Sequence, residues 1–135
     1  MKAAIYDQLC QIASSSDFAE QAENLVDSWV AEGLGIEAVG PVLQFMQEHP
    51  AVDYGLPGAL VHFVERFYRK GYEDILLESV RKQPTTHTVW MVNRVVNGAD
   101  ANLRQRCVSA LNEAKRVADI PTRQRIDHFL ARMSG

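Results

Sequence analysis

Only one basic side chain, Lys2, falls within residues 1–65, against ten acidic ones, so that stretch carries a net −9. Residues 66–135 hold the other thirteen basic side chains and seven acidic ones, a net +6. The overall charge of −3 conceals this division. Asymmetry of this size bears on partners, solubility and encounter rates rather than on fold. It predicts a protein that docks something basic at one end.

Cysteine is scarce, with only Cys10 and Cys107. They are far apart and each sits in an apolar helical pattern, so buried free thiols and a reducing compartment are expected rather than a bridge. Long apolar runs are lacking. The N-terminal stretch MKAAIYDQLC is interrupted at Asp7 and Gln8, which is not the pattern of a secretory signal. Nothing approaches the roughly 18 apolar residues of a membrane span. A cytoplasmic chain without a membrane partner is the expectation. Catalytic motifs are missing too. There is no GxxxxGK[ST] or GxGxxG phosphate-binding signature and no GxSxG elbow. His49, His62, His87 and His128 lie on different elements without metal-ligand spacing, and zinc needs three or four ligands. No enzyme, metal or cofactor is expected. Charged residues at 23% and hydrophobic ones at 47% exclude disorder, and 135 residues suit one domain, 1–135.

What the chain does have is helical periodicity nearly throughout, with no strand-like alternation. Ala4, Ile5, Leu9 and Ile12 share one face. Over 17–32, Phe18, Ala22, Leu25 and Trp29 recur at helical spacing beside Val26 and Val30. Gly33 and Gly35 interrupt, and Ile36, Val39, Leu43 and Met46 resume the pattern around Pro41. A loop is expected from His49 to Leu56. Helices are then expected over 57–70, stopped at Gly71, and over 72–82. Two more run from a Thr85 or Thr86 cap to Asn97 and over 100–118 on a stripe from Leu103 to Val117. The last opens at Pro121 and carries Ile126, Phe129, Leu130 and Met133. Read in pairs, the second to fourth hairpins begin near Ile36, Tyr72 and Ala101, close to helical-repeat periods. The expected fold is all-α, about eight short helices in stacked antiparallel hairpins of HEAT or armadillo type, with a compact orthogonal bundle as the alternative. In such a stack the second helix of each pair lines one face.

Three features are placed for contact. Asp17, Glu20, Asn24 and Asp27 recur at i, i+3, i+7 and i+10, opposite the Phe18–Trp29 stripe. No cation interleaves, whereas solvated faces usually mix signs. Asp53 and Tyr54 sit mid-loop between prolines. Tyr54 is either an interface anchor or a residue folded onto the core. His62 and Arg66 lie on the polar side of 57–70, with Glu65 and Arg69. Trp90 falls among His87, Asn93, Arg94 and Asn97, as an exposed hot spot or an edge residue covering the core.

The run from Leu25 to Gly98, LVDSWVAEGLGIEAVGPVLQFMQEHP through TTHTVWMVNRVVNG, resembles small all-helical bacterial immunity proteins. These are encoded beside polymorphic or contact-dependent growth-inhibition toxins. The resemblance implies a protein that binds one cognate toxin domain and blocks it. It carries no catalytic motif and transfers no binding residues. The charge pattern agrees in kind, since an acidic surface suits occlusion of a basic, nuclease-type toxin domain. Asp17, Glu20, Asp27, Asp53, Tyr54, His62, Arg66 and Trp90 are the candidate contacts, and a monomer is expected. The runners-up are a general protein-interaction adaptor and a nucleic-acid-binding helical module using the basic residues of the second half. Those residues are spread over five helices in a chain of pI near 5.8, which weighs against nucleic acid.

Overall fold

In the computed structural model, residues 2–133 are described. The side chain of Lys2, the single cation of the acidic half, lies outside the described residues. Among those residues the chain is all-α, with eight helices and no strand: α1 (Lys2–Ile12), α2 (Phe18–Ala31), α3 (Val39–Glu48), α4 (Gly58–Glu65), α5 (Tyr72–Lys82), α6 (Thr86–Asn97), α7 (Ala101–Ala114) and α8 (Ile120–Met133). A single 3-10 turn, Ile36–Ala38, leads into α3, so Pro41 falls in the first turn of α3, where its missing N–H has no partner to lose. Two compact units divide the chain, Met1–Ile75 and Leu76–Gly135, with the break inside α5.

Each unit packs in the manner of stacked hairpins. In the first, α1 packs on α3 and α2 on α4, while α1–α2 and α3–α4 form the hairpins. In the second, α6 packs on α8, with α7 against both, and Arg81 of α5 reaches Glu113 of α7 at 2.7 Å. First helices meet first helices and second helices meet second helices. The reason lies in the apolar stripes. A helix with buried residues at i, i+3/4 and i+7 must cover that stripe with a neighbour.

The core of the first unit is aromatic. Trp29 and Phe63 meet edge to face at 5.3 Å, and Phe63 meets Phe67 at 5.6 Å. Phe18 stacks on Phe45 with centroids 6.4 Å apart. The Trp29 indole N–H donates to the Gln8 side-chain oxygen at 2.9 Å, satisfying the polar end of a buried ring. The second unit has an aliphatic core of Val89, Met91, Val92, Leu111 and Ile126, with Phe129 at its edge.

Helix ends differ from the sequence expectation in two places. The helix expected over 57–70 ends at Glu65. From Arg66 to Lys70 the backbone N–H groups bond three residues back, to Phe63, Val64, Glu65 and Phe67. Arg69 then takes φ +66, and its N–H donates to both carboxylate oxygens of buried Glu73 at 3.0 and 2.8 Å. That carboxylate, two residues into α5, captures the turn before it. The helix expected over 100–118 ends at Ala114, after which the Arg116 and Val117 N–H groups bond three residues back, to Glu113 and Ala114. The Arg123 guanidinium donates to the carbonyls of Lys115 and Ala118 at 3.3 and 3.2 Å, satisfying acceptors in the turn that follows. Val117, expected on the core stripe, is consequently 63% exposed. Leu25, Leu103 and Leu130 are half-buried rather than inside. Cys107 is buried as expected, but Cys10 is exposed, on the open side of α1 opposite Leu9 and Ile5.

Candidate functional site

The residues singled out from sequence separate into an acidic helix face, a loop and isolated surface positions. Phe18, Ala22 and Trp29 turn the apolar stripe of α2 inward. By the 3.6-residue period this puts Glu20, Glu23, Asn24 and Asp27 on the opposite side, where all four are exposed. Among the described residues no cation lies within ion-pair distance of Glu20, Glu23, Asp27 or Glu32. Asp17 stands at the N-terminus of α2. It caps no backbone N–H there, but accepts from the Ser15 hydroxyl and, at 3.3 Å, from the Gln21 amide. The Ser15 hydroxyl, then Gln21, hold its carboxyl below the ordinary carboxylate range. It therefore stays ionised into more acidic solution than a free aspartate. Glu37 is lowered likewise by the Gly35 N–H, which donates to it at 3.0 Å.

Tyr54 corrects the sequence expectation of an interface anchor. The ring is 5% exposed and packs edge-on against Phe18 and Phe45, with centroids 5.8 and 6.3 Å away. Its hydroxyl donates to the His49 carbonyl at 2.8 Å, and burial raises its pKa. The aromatic core thus takes the ring, and the loop is a strut. Asp53 remains exposed, with its carboxylate accepting from the Gly55 N–H at 3.0 Å to fix the turn. Behind the same core, the Tyr6 hydroxyl donates to Glu48, which lowers the Glu48 carboxyl and raises the phenol. His62 on α4 and Arg66 just past its end are exposed, and the His62 ring lies 3.9 Å from the Glu65 carboxylate.

Trp90, in the second unit, is half-buried. Arg94 lies over its ring at 5.3 Å and the His87 ring is 5.5 Å away. The indole also lines a cleft of about 620 Å3. One wall is α6, with Thr86, Trp90 and Asn93; the other is α8, with Gln124, Arg125, His128 and Arg132, and Phe129 lies beneath. Sequence reasoning set Trp90 beside Asn93 but did not join them to Arg125, His128 and Arg132 of α8. The signal was available: Arg125, His128 and Arg132 recur at i, i+3 and i+7, which is one helix face. What hid it was dilution among the other basic residues.

No group of three or more His, Cys, Asp or Glu side chains that could hold a metal occurs among the described residues. No helix among them is long and apolar enough to cross a membrane. Compared with family models, curated proteins and solved structures, the chain matches none.

Proposed function

We propose that this protein is an immunity-type inhibitor, which binds a cognate basic toxin domain through the acidic face of α2 and occludes it. One observation carries the reading. Glu20, Glu23 and Asp27 are exposed on one side of a helix whose other side is locked into the core, with no cation paired to them among the described residues. A rigid, unneutralised acidic face steers a cationic partner and raises the association rate at low salt. Asp17, kept ionised by its hydroxyl and amide partners, extends that face toward the start of the helix. The Tyr54 strut contributes by holding the loop, not by contact. Asp53, His62 and Arg66 remain candidate rim positions.

The test is binding kinetics with the product of the adjacent gene, at two salt concentrations, together with rescue of growth on co-expression. Glu20→Lys combined with Asp27→Lys is expected to slow association about tenfold or more at low salt and to flatten the salt response, with helix content unchanged. An unchanged association rate would place the docking face elsewhere.

A further inference from the structure

The cleft of the second unit carries a different chemistry from the acidic helix. Its charged side chains, Arg125 and Arg132, are of one sign, with the His128 imidazole between them and no carboxylate in the lining. All three are exposed and stand on one face of α8, spread over about 10 Å of helix axis. Among the described residues none of them is ion-paired, whereas other cations of this unit are engaged, Arg81 with Glu113 and Lys115 with Asp127. The opposite wall lines the cleft with uncharged side chains, and Arg94, outside the lining, lies over the Trp90 ring at 5.3 Å. That wall presents the Trp90 indole, the Asn93 amide and the Thr86 hydroxyl from α6.

That separation selects among anionic ligands. An extended acidic peptide throws alternate side chains to opposite sides, so its carboxylates would face both walls. A nucleotide strand carries its charge along one edge and its aromatic, hydrogen-bonding bases along the other. In a duplex those bases are stacked and paired, and only a single strand offers them to an aromatic and an amide. We propose that this cleft binds single-stranded nucleic acid, with phosphates along Arg125, His128 and Arg132 and bases against Trp90 and Asn93. The acidity of the chain as a whole does not oppose this. The second unit has ten basic and five acidic side chains, a net +5, while the first, at −8, holds the negative charge.

The probe is a fluorescein-labelled oligouridylate or oligothymidylate of about fifteen nucleotides, within the length an ordinary single-strand site covers, read by anisotropy with the full chain. The wild type is expected to bind at low salt, with log K falling against log salt at a slope of about −1 to −2, since each phosphate contact on a single strand contributes about 0.7. Arg125→Glu with Arg132→Glu, both surface changes, is expected to weaken binding at least about tenfold and to bring that slope close to zero. Trp90→Leu is expected to weaken binding about tenfold while keeping the slope, because stacking is lost and the phosphate contacts stay. Circular dichroism and a thermal melt confirm that each variant is folded. Three results would overturn the proposal: no anisotropy change in the wild type, undiminished binding by the double reversal, or polyglutamate or duplex competing better than the unlabelled single strand.

Discussion

Residues 1–75 carry nine of the eleven aromatic side chains and a net −8; residues 76–135 carry two and a net +5. The two units also end their helices differently. In the second, Thr85 and Thr88 form a reciprocal capping box at the start of α6. Asp100 accepts from the Leu103 N–H at 2.8 Å, and Asp119 from the Thr122 N–H at 2.9 Å. In the first, α2, α3 and α4 begin without a side-chain cap bond. One unit holds its helices by interlocked rings between them, and the other fixes each start locally and packs aliphatic side chains between. An acidic surface suits the first arrangement, because the carboxylates are not needed as caps and stand free on the outer face of α2. In the second, four of the five carboxylates are committed, Asp100 and Asp119 to caps, Glu113 to Arg81 and Asp127 to Lys115, so the cations dominate what remains.

This contrast predicts an order of effects. The largest belongs to the first unit. Phe63 is 1% exposed and touches both Trp29 and Phe67, so Phe63→Ala is expected to cost about 3–5 kcal/mol in denaturant unfolding. Leu111, fully buried in the aliphatic core, is expected to cost about 2–5 kcal/mol as Leu111→Ala. If Leu111→Ala clearly exceeded Phe63→Ala, the aromatic network would not be the stronger of the two cores.

Cap removal comes next and should discriminate between the units. Asp100→Ala is expected to cost about 1 kcal/mol by thermal or denaturant unfolding, because the Leu103 N–H loses its acceptor. Asp17→Ala, at the start of α2, should cost no more than about 0.5 kcal/mol, since Asp17 accepts no backbone N–H from the helix. Equal costs at the two positions would erase the contrast in capping.

The smallest effect is in pH. The Asp119 carboxyl is held below its ordinary value of 3.8 by the Thr122 hydroxyl and then by its backbone N–H. A depressed folded-state pKa contributes stability that is present above the unfolded value and lost as pH falls through the folded one. The stability difference between the wild type and Asp119→Asn is therefore expected to be constant above about pH 5 and to shrink in more acidic solution. A difference that grew on acidification would contradict the sign.

Much of the helical fold was legible from single residues. The Phe18–Ala22–Trp29 and Val89–Val92–Val96 stripes lie inside as their spacing requires, and Thr85 caps α6. Local competition between hydrogen-bond partners was not legible. Nothing in the apolar pattern around 57–70 signals that Glu73 takes the Arg69 N–H, or around 100–118 that Arg123 takes the carbonyls after α7. In both places a charged group from the next segment reaches back to the turn that follows the helix.

The sequence by itself determined the all-α class, the helix count, the division of charge and the exposed acidic side of α2. All of these follow from periodicity and composition along the chain. Only the tertiary structure decided that Tyr54 belongs to the core, because its neighbours Phe18 and Phe45 come from other elements. It alone brought Trp90 and Asn93 opposite Arg125, His128 and Arg132, residues 32 to 42 positions away, by laying α6 along α8. Periodicity fixes which way a side chain points from its own helix; what it meets there depends on a second helix, and that is settled by packing.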